Sequence, residues 1–234
     1  METTMKCEFK YAPKELSEVI FFNAATATRI EAYATGALSD SIILWGPNGT
    51  GKSTIARLLI KSIGGDFPSV ETKTYEELIR LDDLRFYLKQ AAHLASMTSS
   101  KKHFLLLEEF DSETKKMEKF WTAVDSCGDS LMVIITTNNP NAIHKSLRSR
   151  LTMVECPALT PASVLPRAQH ILRSEGIVLA DDQVLHYLRT MAVPLDLRKY
   201  MRVLDQIIFL HLHNLALPPW QKAKPQKPIL SIVS

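Results

Sequence analysis

Residues 46–54 read Gly46-Pro47-Asn48-Gly49-Thr50-Gly51-Lys52-Ser53-Thr54 and match the pattern G-x-x-x-x-G-K-[ST]. The spacing suits phosphate chemistry. Glycines let the backbone curl so that successive N–H groups point inward at phosphate oxygens, where a Cβ would block the approach. Pro47, Asn48, Thr50 and Thr54 complete the cradle, Lys52 can reach the β- and γ-phosphates, and the Ser53 hydroxyl can take a Mg²⁺ coordination position. This pattern predicts binding of a nucleoside triphosphate with Mg²⁺. A second group of residues supplies what hydrolysis needs. Residues 103–107 (HFLLL) lead directly into Glu108 and Glu109. An acid at the tip of a neighbouring strand would hold Mg²⁺, here Glu108, and the next, Glu109, would orient and deprotonate the attacking water. The alternative is two charges facing solvent. A third group, Thr137-Asn138-Asn139-Pro140, follows the apolar run 131–136. Asn138 could hydrogen-bond the γ-phosphate or the lytic water, although Asn-Asn-Pro is equally ordinary turn chemistry.

The elements that must position these groups follow from periodicity. Residues 41–45 (SIILW) form a short apolar run of strand length, and residues 53–63 carry apolar positions at helical spacing and stop at Gly64-Gly65. That places the loop at a helix N-terminus, whose positive dipole end favours phosphate. The spacing predicts a helix through residues 20–33 and a strand within 68–74. One or two amphipathic helices are expected over 75–97, with Leu78, Ile79, Leu81, Leu84, Leu88 and Leu94 on the apolar side. Further strands are expected at 103–107, 131–136 and 151–156, with a helix over 113–124. This alternation indicates an α/β fold, a mostly parallel sheet with helices on both faces. After residue 160 the strand pattern ends, and helices are expected over 161–174, 181–190 and 195–215. The expected organisation is an αβα domain over 1–156, a small all-helical domain over 157–216, and a Pro- and Lys-rich flexible tail over 217–234.

Composition narrows the class. With 234 residues, 46% hydrophobic and 23% charged, the chain reads as a globular protein of one large domain plus a small satellite. It has no apolar run of bilayer-spanning length, and its first residues lack the apolar core of a secretory signal. A net charge of +3 permits nucleic-acid contact without arguing for it. Cys7, Cys127 and Cys156 are odd in number and far apart, with no C-x-x-C pair. The expectation is reduced thiols in a cytoplasmic protein.

The phosphate loop, the acids after the third strand, Asn138 and the downstream Leu147-Arg148-Ser149-Arg150 occur in the order seen in AAA+ ATPases. Within that superfamily the chain resembles the small subunits of sliding-clamp loaders of the replication factor C type. Lys10-Tyr11-Ala12-Pro13-Lys14 resembles their K-Y-R-P-K opening with Ala12 in place of Arg. Residues 147–151 resemble their L-x-S-R-C box with Leu151 in place of Cys, and residues 194–198 resemble their G-D-x-R helix start with Pro-Leu in place of the Gly region. The resemblance covers roughly residues 8 to 210. It implies a P-loop AAA+ αβα domain followed by a helical lid. Asn138 would be the first sensor, ahead of its neighbour Asn139, and Arg198 the second, reaching from the lid to the γ-phosphate. Arg150 would be an arginine finger offered to the nucleotide of the adjacent subunit, a role worth roughly 10³–10⁵ in rate. Without the resemblance, Arg148 and Arg150 read as a solvated basic patch. Tyr11 and Pro13 would lie near the adenine, although a lone Tyr-x-Pro also suits simple packing.

The implied activity is Mg²⁺-dependent ATP hydrolysis coupled to assembly of a sliding clamp, or another replication protein, on DNA. The implied partners are other AAA+ subunits, the clamp and DNA, with no membrane. Three departures qualify it. Glu108 stands where the family usually has Asp, the box Cys is absent, and the sequence after the lid is too short for the collar domain of those subunits. Two other readings stay open: a helicase loader or transposition regulator, and an ATP-binding assembly module without turnover, to which Glu108 lends support. Arg57, Lys61, Lys101, Lys102, Lys115, Lys116 and Lys119 could track a DNA backbone or simply solvate helix faces. Residues 226–233 have the spacing of clamp-binding peptides, or are a short apolar end.

Overall fold

The computed structural model describes residues 6–98, 101–110, 117–191 and 196–220. Five strands, β1 (Ile42–Trp45), β2 (Ser69–Lys73), β3 (His103–Leu107), β4 (Leu131–Thr137) and β5 (Thr152–Glu155), form one sheet in the order β2-β3-β4-β1-β5. Every pairing is parallel, with Ile42 opposite Ile134 and Thr152, and Leu105 opposite Val133. The reason lies in the sequence of the central strands. β3 and β4 are buried at every position and β1 at all but its last, so both faces must be covered, which is the condition of a parallel sheet. β2, at the edge, alternates half-buried and exposed residues. The two parities of the strands feed two separate cores. Ile43, Leu105, Leu107, Val133 and Ile135 pack on one face, and Ile42, Leu44, Phe104, Leu106 and Ile134 on the other.

The helices are α1 (Cys7–Lys10), α2 (Ala24–Ala34), α3 (Lys52–Gly64), α4 (Tyr75–Ile79), α5 (Leu84–Ala95), α6 (Met117–Asp125), α7 (Lys145–Arg148), α8 (Pro161–Ser174), α9 (Asp181–Met191) and α10 (Leu197–Leu212). α2 and α3 cover one face of the sheet, and α4, α5 and α6 the other, giving three layers. α8, α9 and α10 form a separate helical unit around Val164, Ile171, Val184, Leu188, Tyr200 and Leu204. The connection leaving β1 runs toward β2 and the one leaving β4 runs toward β5, so the strand order reverses beside β1. In open α/β sheets the crevice beyond the strand ends at such a reversal is where ligands bind. No helix among the described residues is long and apolar enough to cross a membrane, and all three cysteines are free thiols.

Several expectations shift. The helix expected from residue 20 starts at Ala24, because the Asn23 carboxamide accepts from the Thr26 N–H at 2.8 Å and caps it there. Residues 75–97 form two helices, each with its own start signal. Thr74 and Glu77 make a reciprocal capping box, and Asp83 accepts from the Phe86 N–H. Leu94, expected on the apolar side, is 58% exposed. The helix expected over 113–124 is described from Met117, its earlier residues lying outside the described ones. α1 was not foreseen, and by packing it belongs to the helical unit. Cys7 is buried in that core, and its N–H donates to Asp205 Oδ1 of α10 at 2.7 Å. The start of the segment read as a tail is also seated there. Leu217 and Trp220 pack against the same core, and Tyr187 donates its hydroxyl to Pro218 O.

Candidate functional site

The loop of residues 46–51 leaves β1 and enters α3, and its conformation is fixed from both sides. Gly46 N–H donates to Thr137 O at the end of β4, and Lys52 Nζ donates to Gly46 O at 2.9 Å and Pro47 O at 2.6 Å. Gly46 has φ +151°, and a Cβ there would lie 2.1 Å from Cys156 O. Gly49 has φ +71°, and a Cβ there would lie 1.8 Å from Asp196 Oδ1. Both positions require glycine for space as well as for backbone freedom. Thr50 Oγ1 donates to Pro47 O and closes the loop. Gly49 O accepts from Leu197 N–H at 3.0 Å, so the loop is bonded to the first turn of α10.

Lys52 is 8% exposed, and burial pushes it below the ordinary lysine value, with Arg198 adding to that effect and Cys156, Glu109 and Asp196 opposing it. A buried ammonium held by two carbonyls is short of negative charge, and a phosphate supplies it. The first-turn N–H groups of α3 have no intrahelical acceptor and complete an anion cradle. The residues present therefore fit a phosphate chain.

Around the loop lies a cleft of about 230 Å³. One end is the loop itself, Asn48 through Thr54, with Glu109 and Asn138 beside it. The apolar part of the lining comes from Tyr11, Pro13, Val19, Ile20 and Met201, with Leu197 at the loop, where its N–H meets Gly49 O, and Arg198 and Arg167 belong to the helical unit. Glu109 sits at φ +51°, a conformation uncommon outside glycine. Its N–H donates to Thr136 Oγ1 and that of Phe110 to Thr136 O, while the Phe110 ring packs edge-on against Tyr75 in the core. The anchored ring holds the Glu109 backbone in this strained region at the rim of the cleft. The two asparagines separate cleanly. Asn138 lines the cleft, whereas the Asn139 carboxamide accepts from Asn141 N–H and caps the turn at Pro140–Ala142.

Glu108 stands apart. Both of its carboxylate oxygens accept from one nitrogen of Arg57 on α3, at 3.1 and 3.0 Å, and it is not part of the cleft wall. Ser53 offers a hard oxygen atom in the cleft itself, beside Glu109 and Asn138, and suits Mg²⁺ shared with phosphate oxygens. Arg150 is outside the cleft of its own chain, with Nε 3.7 Å from Asp125 Oδ2. Its neighbour Arg148 is a structural pin, donating to Ile143 O and Pro140 O. Of the basic residues read as a DNA track, Arg57 is engaged by Glu108, Lys61 Nζ donates to Lys14 O and Lys102 Nζ to Ser39 O, while Lys115 and Lys116 lie outside the described residues, as does 226–233.

Sequence reasoning missed Arg167 and Glu8, and took Asp196 only as part of the resemblance over residues 194–198. Arg167 donates to Tyr11 O at 3.0 Å, Glu8 Oε1 lies 3.7 Å from Arg198 Nε, and Asp196 caps α10 by accepting from Arg198 N–H. Only Asp196 carries a local signal, an Asp just ahead of a helical pattern.

Comparison with known proteins agrees with this fold. Residues 42–157 match the family described as ATPase family associated with various cellular activities (AAA). Replication factor C small subunit 2 of Pyrobaculum arsenaticum is 24% identical over 177 residues, covering 74% of this chain and 54% of that protein. The sliding-clamp-loader large subunit of Escherichia phage RB69 is 28% identical over 209 residues, covering 85% of this chain and 63% of that protein. Among solved structures, the Thermotoga maritima RuvB Holliday junction branch migration motor superposes with a TM-score of 0.66 at 17% identity, covering 87% of this chain and 67% of that one. The chain spans about half the length of the replication factor C relatives it matches.

Proposed function

We propose, from the AAA domain that residues 42–157 form and the likeness of the chain to clamp-loader subunits, that this protein is a Mg²⁺-dependent ATPase subunit of a clamp-loader-like assembly acting on DNA. The observation that carries the reading is the convergence on one cleft of the loop, Glu109, Asn138 and Arg198, which come from separate elements and two structural units. In this reading ATP lies with its phosphates on the loop and its base at the apolar end against Tyr11 and Pro13. Lys52 turns from the two loop carbonyls to the β- and γ-phosphates. Ser53 and, once turned from Arg57, Glu108 would hold Mg²⁺, which supplies charge neutralisation on the phosphate oxygens. Glu109 takes the proton of the attacking water, Asn138 orients that water, and Arg198 bridges the helical lid to the γ-phosphate. Arg150, outside its own cleft, is the group offered to the nucleotide of an adjacent subunit.

The test is ATP turnover by wild type mixed with Arg150→Ala in varying ratio, with and without primed DNA. Suppression steeper than the mutant fraction, together with stimulation by primed DNA, is the expected result. A strictly proportional decline counts against the trans role, and turnover indifferent to DNA counts against a clamp-loader-like client. Lys52→Ala serves as the blank.

A further inference from the structure

At the base end of the cleft, residues 7–11 are held by the helical unit, whereas Val19, farther along the same wall, packs against the sheet-face core. Residues 7–11 are bonded to the helical unit at four points. Cys7 N–H donates to Asp205 Oδ1 at 2.7 Å, and Arg167 donates to Tyr11 O at 3.0 Å. Tyr11 Oη donates to Glu175 Oε1 at 2.6 Å, and Lys10 Nζ to the same oxygen at 2.7 Å. Glu175 follows the last turn of α8 and is 17% exposed in its side chain. Lys10 and then Tyr11 hold its carboxyl below the ordinary glutamate value, so it is a charged acceptor receiving two bonds. Charge-assisted bonds of this kind fix a ring far better than apolar contact does.

We infer that Glu175 is a positioning residue for base binding: by accepting from Tyr11 and Lys10 it holds the Tyr11 wall on the helical unit, so that this unit contributes to the grip on the base. The inference rests on the nucleotide reading above and goes beyond it. Glu175 touches no ligand, so its effect passes through Tyr11. A ligand with no base does not meet that wall. The consequence is a split between ligands: weakening Glu175 weakens ATP and spares the bare phosphate chain.

The experiment measures binding of ATP and of inorganic tripolyphosphate to the full chain by titration calorimetry, for wild type, Glu175→Ala, Glu175→Gln and Tyr11→Phe. Glu175→Ala is expected to lose about 5- to 10-fold in ATP affinity, with tripolyphosphate unchanged within about twofold. Glu175→Gln, which keeps an acceptor oxygen for the tyrosine but not the charge, should recover about half of the loss. Tyr11→Phe, which removes only the hydroxyl and keeps the apolar ring, should lose ATP affinity in the same sense if Glu175→Ala fails to fold. Equal losses for both ligands, or none for ATP in Glu175→Ala and Tyr11→Phe, overturn the inference while leaving the nucleotide reading intact. Wild type that binds neither ligand overturns both.

Discussion

Arg57→Ala should lower the Mg²⁺ concentration needed for half-maximal activity. In the structure one Arg57 nitrogen bridges both Glu108 oxygens at 3.1 and 3.0 Å, and those are the oxygens proposed to serve the metal. Metal and arginine therefore compete for the same lone pairs. The pair is a partly solvated one, with side-chain exposures of 65% for Arg57 and 24% for Glu108. Exposed ion pairs are worth about 0.2–1 kcal/mol. Sharing a single nitrogen forgoes the two-pronged geometry that makes arginine–carboxylate pairs strong, while the half-buried carboxylate works the other way. An estimate of about 0.5–1 kcal/mol corresponds to about a two- to fivefold fall in the Mg²⁺ midpoint. The assay is steady-state turnover at saturating ATP across a Mg²⁺ series, with Glu108→Gln as the comparison. A midpoint unchanged or raised in Arg57→Ala, beside a raised one in Glu108→Gln, refutes the competition.

Three further outcomes follow from the geometry. Gly49→Ala places a Cβ against Asp196 at a backbone angle that favours glycine, so it should lower stability by about 1–3 kcal/mol and weaken ATP binding, read by thermal melting with and without ATP. Asn138→Ala should cut turnover by about 10²-fold or more at unchanged melting temperature, whereas Asn139→Ala, which removes a cap, should cost about 1 kcal/mol of stability; the reverse pattern would reassign the sensor. His103 is buried with Nδ1 bonded to Ser69 Oγ and Nε2 3.9 Å from Glu71, and burial lowers its pKa from 6.5 against the opposing pull of Glu71. A lowered histidine pKa means the unfolded chain takes up the proton first as pH falls. Stability from this group is complete above about pH 6.5 and is lost as pH drops toward the folded value, so His103→Gln should flatten the melting temperature between pH 7 and 5.

The sheet was legible because its central strands are apolar without interruption, and a strand buried on both faces has no other composition available. The loop and the placement of Glu109 were legible because phosphate chemistry constrains residue type and spacing together. What escaped depended on distant partners. α1 is four residues long and is held by Asp205, 198 positions away, which no local pattern can announce. The spacing that located Glu108 says nothing about which way its side chain turns, and that is decided by Arg57, on a different element. Asn138 and Asn139 are indistinguishable by type, and the structure separates them by the turn bond that Asn139 makes and the cleft that Asn138 lines. Leu94 reads as a member of the apolar helix face and is exposed, because the buried stripe of α5 runs through Leu84, Leu88, Ala92 and Ala95.

The bond from Leu197 N–H to Gly49 O brings the beginning of α10 against the phosphate loop, beside the beginning of α3. Each helix start carries roughly half a positive charge, so two such fields overlap where the phosphates would lie. One belongs to the sheet domain and the other to the helical unit, and the Asp196 carboxylate, which caps α10 and would meet a Cβ at Gly49, already stands between them as a counter-charge, so α10 is seated on the loop without any ligand.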